Sequence, residues 1–102
     1  MAQAETLAKV KQAIRRSHNK LDDDLMADID ACLADLRAHG ITGPQAVETD
    51  SLIYNAIKLY CKELDAEDPA EAARWRQCYL DLRDSLKAAK GYGWTEEVAT
   101  GD

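Results

Sequence analysis

Acidic side chains are the most prominent groups in this sequence that could do chemistry. Six aspartates lie between residues 22 and 35 with no basic residue among them. Carboxylates at this density could bind a divalent cation or act in acid–base catalysis. An EF-hand loop counted from Asp22, however, would place Ala27 where glycine is needed and Leu33 where a bidentate glutamate binds calcium. The calcium-loop interpretation therefore fails.

A helical nucleotide pyrophosphohydrolase is the second interpretation of these carboxylates. Such an enzyme would hold magnesium with acids spaced i, i+3 on facing helices. Here Glu63, Glu67 and Glu71 are spaced by four, and the pair Asp81 and Asp84 has no Glu-x-x-Glu counterpart. The pattern favours a solvated acidic face, or one that docks on a basic surface of a neighbouring copy.

Histidine and cysteine offer no clearer chemistry. His18 and His39 are isolated and lack metal-ligand spacing, which favours structural roles. Cys32, Cys61 and Cys78 are odd in number, form no CxxC pair and lie beside apolar helical positions, so we predict buried free thiols in a reducing compartment. The sequence also lacks a nucleophile elbow, a phosphate-binding glycine loop and a zinc pattern. We therefore predict no catalytic residue, metal or cofactor, and a protein that is not an enzyme.

Composition predicts one small helical domain. The chain has 102 residues, of which 46% are hydrophobic and 31% charged, with no phenylalanine and two prolines. This balance is typical of a globular protein, and its alanine and leucine content favours helices over strands. Apolar runs fall short of the roughly 20 residues that span a bilayer, and residues 1–16 lack a signal-peptide pattern. We expect a protein made in the cytoplasm, with no membrane partner.

Charge is distributed unevenly along the chain. The net charge is -6, which argues against specific or wrapping contacts with DNA. Residues 1–20 hold five basic residues and one acidic, whereas residues 21–102 hold eight basic and eighteen acidic. Such asymmetry suits head-to-tail contacts between copies. The candidate subunit-interface residues are basic on the first helix and acidic on one flank of the second: Lys11, Arg15, Arg16, Asp24, Asp28 and Asp35.

Two helices are predicted in the first half of the chain. The first runs from about Glu5 to Arg16, and a break follows at residues 17–20. The second begins at the aspartate run, whose carboxylates suit a helix N-terminus, and ends at Gly40. Their predicted buried positions are Leu7, Val10 and Ile14 on the first helix, and Leu25, Ile29, Cys32, Leu33 and Leu36 on the second.

A loop and a third helix come next. Gly43-Pro44 marks a loop over residues 41–49, with Ile41 and Val47 as its candidate core residues. Asp50 then caps a helix from Ser51 to about Leu64. Apolar residues cover well over half of that helix, which predicts that it is the central one. They are Leu52, Ile53, Ala56, Ile57, Leu59, Tyr60 and Leu64, and the polar side carries Asn55, Lys58 and Lys62.

The fourth helix has the strongest start signal. Asp68, Pro69 and Glu71 form a variant of the capping box, and the helix continues to about Lys90. Its predicted inner stripe consists of Trp75, Cys78, Tyr79, Leu82, Leu86 and Ala89. Leu80 points away from that stripe, either as an ordinary exposed leucine or as part of a contact between copies.

The last segment has no helical period. Residues 92–102 carry a net charge of -3 and the aromatic residues Tyr92 and Trp94. Two such rings can dock on a neighbouring protein or fold back on their own domain. We predict an all-α protein, a compact bundle of about four helices over residues 1–91 with an extended C-terminal arm over residues 92–102.

The order of these features resembles the head-tail connector, or adaptor, family of long-tailed DNA phages and prophages, often described as DNA-packaging proteins. The resemblance covers about residues 6–92. It rests on LAKVKQAIRRSHNKLDDDL at 7–25, DIDACLADLRAHGI at 28–41, DSLIYNAIKLYCK at 50–62, and a Trp/Tyr-bearing helix that ends at Lys90-Gly91-Tyr92.

This resemblance implies a non-enzymatic ring of about twelve copies in the virion neck. The ring would sit beneath the portal, through which DNA passes, and would present a platform for the next neck or tail-completion protein. Tyr92 and Trp94 would then dock on the portal or a neighbouring copy. The alternatives are a small helical homo-oligomeric interaction or regulatory protein and, less favoured, the pyrophosphohydrolase.

Overall fold

Four α-helices make up the described part of the protein. The structure, a computed structural model, describes residues 4–13 and 22–93. Within these ranges the helices are α1 (Ala4–Ala13), α2 (Asp22–Ala38), α3 (Ser51–Asp65) and α4 (Pro69–Ala88), and the described residues contain no strand. The all-α prediction is confirmed. The predicted end of the first helix and the break at residues 17–20 lie outside the described residues.

The aspartate run and Gly40 bound α2 as predicted. Asp22, Asp23 and Asp24 form its first turn, where carboxylates favour the positive end of the helix dipole. Gly40 has a φ of +88°, a conformation that favours glycine. The Ile41 N–H donates to Leu36 O (3.0 Å) and the Gly40 N–H to Arg37 O (3.1 Å), which together form a Schellman ending. This turn directs Ile41 into the core.

Helix α3 is central, as predicted, because it packs against each of the other three helices. The Asp50 carboxylate accepts hydrogen bonds from the N–H groups of Leu52 (3.0 Å) and Ile53 (3.3 Å) and so caps the helix. Its buried residues are Ile53, Ala56, Ile57 and Cys61. The apolar face is narrower than predicted, since Leu52 and Leu64 are 40% and 48% exposed.

Helix α4 starts as predicted and corrects two expectations about its faces. Asp68 caps it, and Tyr79 and Leu86 are buried. Cys78, predicted to be a buried thiol, is exposed. Leu80, expected to point away from the core, is half-buried against it. Each lies about 100° around the helix from Tyr79, on opposite sides. The long leucine side chain reaches back to the core from this position, whereas the short cysteine side chain does not.

Helix α1 is attached through one apolar contact and two polar ones. Val10 is fully buried and Leu7 partly so. The Thr6 hydroxyl donates to Glu48 Oε1 (2.8 Å), and the Tyr54 hydroxyl donates to the main-chain oxygen of Lys9 (3.3 Å). These bonds connect α1 to the loop before α3 and to α3 itself.

The loop before α3 pairs with the turn that follows α4. The Gly43 N–H donates to Tyr92 O and the Gln45 N–H to Gly91 O (2.7 Å). A Cβ atom on Gly43 would lie 2.5 Å from Gly91 O, so the close approach requires glycine. The Tyr92 hydroxyl donates to the Asp50 carboxylate (2.9 Å). Tyr92, the first residue of the predicted arm, therefore lies against its own domain, and residues 94–102 lie outside the described residues.

The domain is thin. Its extents are 49 × 30 × 18 Å, and the shortest is about two helix diameters. Val47, predicted to pack beneath the loop, is 50% exposed because the loop directs Ile41 inward instead. None of the described helices combines the length and apolar character needed to cross a membrane.

Candidate assembly surfaces

A polar cluster links α2 to α4, and we call its members Asp35, Tyr79 and Arg83 the interior cluster. The Tyr79 hydroxyl donates to Asp35 Oδ2 (2.6 Å), and Arg83 Nη1 donates to the same oxygen (3.0 Å). Tyr79 is 3% exposed, and its ring packs edge-on against Tyr60 at a centroid distance of 5.3 Å. The Arg83 guanidinium lies 5.8 Å from the centre of the Tyr79 ring. The cluster joins two helices that α3 otherwise bridges.

The protonation states in this cluster suit a structural role. Burial alone would raise the pKa of Asp35, but the hydrogen bonds from Tyr79 and Arg83 outweigh it, and that pKa lies below its ordinary value. Burial raises the pKa of Tyr79, as do the nearby Cys32 and Asp35, so its hydroxyl remains a neutral donor. Burial likewise raises the pKa of Cys32 and keeps its thiol protonated. The charged carboxylate is bound by its own chain.

The predicted interface residues fall into three groups. Asp35 belongs to the interior cluster, and Lys11 Nζ lies 2.9 Å from Asp22 Oδ1, so basic α1 and acidic α2 meet within one chain. Asp24 is exposed, whereas Asp28 and Leu80 are half-buried. Arg15, Arg16 and Trp94 lie outside the described residues. A contact between copies at these positions stays a prediction.

Sequence reasoning missed a row of cations and aromatic rings, which we call the cation–ring stripe: Lys9, Tyr54, Lys58, Lys62, Arg74 and Trp75. Lys9 Nζ and Lys58 Nζ lie 5.7 and 5.5 Å from the centre of the Tyr54 ring. Lys62 Nζ lies 4.6 Å from the Trp75 ring, and Arg74 Cζ 5.7 Å. These distances are typical of cation–π contacts. The stripe crosses α1, α3 and α4.

The signal for half of this stripe was present in the sequence. Tyr54, Lys58 and Lys62 are spaced i, i+4, i+8, so they share one side of α3. The two lysines were placed on the polar side of that helix, but Trp75 was assigned to the inner stripe of α4. Because Trp75 is only half-buried, its ring remains within reach of Lys62.

Two other features were considered as ligand sites. A recess of 170 Å³ lies between the end of α2 and the start of α3, which is smaller than the roughly 300–1,000 Å³ of typical small-molecule pockets. Leu33, Leu36, Ile41, Ala46 and Ile53 form most of its wall. Among residues 4–13 and 22–93, no three His, Cys, Asp or Glu side chains converge as metal ligands would. Neither feature defines a catalytic centre.

Comparison with protein families, with curated proteins and with solved structures found no match for this chain. The fold, the interior cluster and the cation–ring stripe are therefore the basis for any functional proposal.

Proposed function

We propose that this protein is a structural head-tail connector of a phage or prophage, a subunit of an oligomeric ring that completes the virion neck beneath the portal. The observation that carries this proposal is the thinness of the domain. At 18 Å it has about two layers of helices, so its helices keep faces that the chain itself does not cover. Exposed apolar side chains lie on this surface at Val47, Leu52 and Leu64. Such a domain gains stability when copies assemble.

The charge distribution supports assembly of like subunits. Residues 1–20 carry a net charge of +4 and residues 21–102 one of -10. Opposite charges on different parts of one chain favour heterologous contacts, which close into rings when the rotation between subunits allows it. The ordered resemblance over residues 6–92 points to the same kind of ring, of about twelve copies.

In this proposal the protein acts without a catalytic residue, metal or cofactor. It is made in the bacterial cytoplasm and joins the portal after DNA packaging. DNA passes through the ring without sequence-specific contacts, and the far side of the ring receives the next neck or tail-completion protein. The net charge of -6 suits a channel along which DNA slides without sticking.

The first test is binding to the portal protein encoded in the same genome. Assembled portal should carry this protein down on sedimentation in a fixed ratio, whereas the protein alone should stay in the supernatant. A genome without a portal gene, or a portal that sediments without the protein, would contradict the proposal. A stable homodimer that ignores the portal would favour the interaction or regulatory alternative.

The role of the C-terminal segment has a separate test. Tyr92 is bonded to Asp50, so a truncation should begin after Gly93 and remove only residues 94–102. The truncated protein should keep its helical circular dichroism and bind the portal less tightly. Equal portal binding by the truncated and full-length proteins would exclude docking through Trp94.

A further inference from the structure

The cation–ring stripe concentrates positive charge on a protein that is acidic overall. Lys9 and Lys58 both lie within about 6 Å of one ring centre, and Lys62 and Arg74 lie equally close to the other. Like charges at such spacing raise the local positive potential, and little salt screening occurs over this distance. An anionic partner would relieve the repulsion among them.

Other cations of the domain are already neutralised within the chain. Lys11 pairs with Asp22 (2.9 Å), Arg76 with Glu63 (3.3 Å) and Arg83 with Asp35 (3.0 Å). The stripe cations instead contact aromatic rings, which attract a cation through the quadrupole and leave its charge uncancelled. The stripe therefore retains its affinity for carboxylates.

The rings themselves select the class of partner. Single-stranded nucleic acids bind by stacking bases on open aromatic faces. Here each ring has two cationic groups placed over it, and Tyr54 is held further by its hydroxyl bond to α1. A base would have to displace these cations, whereas a carboxylate can approach them as they stand. The geometry favours an acidic protein surface.

A second copy of this chain offers such a surface. The first turn of α2 carries Asp23 and Asp24, both exposed, and the exposed Ala27 and Ala31 follow on the same helix. The alanine side chains are short, so another surface can come close to the helix there. This surface shares no residue with the stripe, so one copy can present both at once.

We propose that the cation–ring stripe of one copy binds the acidic N-terminal half of α2 of the next copy, head to tail. This inference rests on the proposed function, because it names the contact that would close the ring. It moves the basic side of the interface from the first helix to α3, with flanking groups from α1 and α4. A heterologous contact of this kind repeats around a ring.

The test uses two charge-reversed variants. The stripe variant carries Lys58→Glu and Lys62→Glu, and the α2 variant carries Asp23→Lys and Asp24→Lys. Each variant alone places like charges at every contact, so its self-association at low salt should be weaker than that of wild type by about tenfold or more. An equimolar mixture pairs each reversed surface with its complement, so association should return to near the wild-type level.

The measurement is sedimentation velocity over a range of protein concentrations at low salt. The matched control carries Arg37→Glu and Lys87→Glu, an equal change of charge at exposed positions outside the stripe and at the other end of α2. It should associate like wild type. Circular dichroism checks folding, and if a reversal fails to fold, the milder pair Lys58→Gln and Lys62→Gln takes its place, with reduced association expected.

Three results would overturn this inference: a wild type that stays monomeric throughout, variants that associate like wild type, or a mixture no better than its parts. Binding of a DNA oligonucleotide that the stripe variant loses would reassign the stripe to nucleic acid and also overturn it. Portal binding that survives both reversals would leave the connector proposal standing without this contact. Association through the stripe with no portal binding would do the reverse.

Discussion

The molecule places cations beside aromatic rings in two regions that differ in one respect. In the interior cluster, Arg83 lies over the Tyr79 ring and binds Asp35 of its own chain. In the cation–ring stripe, Lys62 lies over the Trp75 ring, and the contacts that describe it are with that ring. The first region is complete within one chain and serves the fold. The second keeps its charge for a partner, so the same pair of residue types has two different roles.

The largest expected effect comes from removing the interior ring. Tyr79→Ala deletes a buried aromatic side chain and both of its polar contacts, and it should lower the free energy of unfolding by about 3–5 kcal/mol. Urea unfolding followed by circular dichroism measures this. The control is Trp75→Ala, which removes a half-buried ring from the same helix and should cost clearly less. Equal losses would remove the distinction between the two regions.

Removing only the interior hydroxyl should have an intermediate effect. Tyr79→Phe keeps the packing and loses a 2.6 Å hydrogen bond to a carboxylate, a bond type worth about 1.5–3 kcal/mol. The matched control is Tyr54→Phe, which loses a longer and exposed bond to the main chain of α1 and should lose less. A Tyr79→Phe protein as stable as wild type would mean that the hydroxyl does not hold α4 to α2.

Acid should weaken the interior cluster. The pKa of Asp35 lies below its unfolded-state value of about 3.9. The charged carboxylate therefore stabilises the fold at neutral pH, and this contribution disappears as the pH falls through the depressed pKa. The stability advantage of wild type over Asp35→Asn should be full near neutrality and shrink below about pH 4. An advantage that is constant or grows in acid would contradict the assignment.

The smallest expected effect on stability comes from the stripe. Replacing Lys58 and Lys62 with glutamine should change the free energy of unfolding by about 0.5 kcal/mol or less, because these side chains stabilise little of the fold. Thermal unfolding monitored by circular dichroism is sufficient. A loss comparable to that of Tyr79→Phe would show that the stripe serves the fold rather than a partner.

Local signals predicted most of the fold. Asp50, Asp68 and Gly40 mark helix boundaries through hydrogen bonds to nearby backbone groups, and such short-range chemistry can be read from sequence. The apolar spacing of α3 likewise predicted its central position. The exposed Leu52 and Leu64 show the limit of that inference, because periodicity does not reveal where neighbouring helices end.

Contacts between distant segments could not be predicted. Asp35 and Tyr79 are 44 residues apart, and nothing in their spacing shows that α4 lies on the aspartate flank of α2. The turn at Gly91 and Tyr92 pairs with Gly43 through backbone groups, which leave no mark in the side-chain pattern. The stripe was missed for the same reason, since its rings and cations come from three helices.

Electron microscopy of this protein mixed with the portal of the same genome tests the central claim most directly. We predict an added ring of density on one end of the portal, with the symmetry of repeated copies and the thickness of a thin helical domain. A portal that looks the same with and without an excess of this protein would contradict the account.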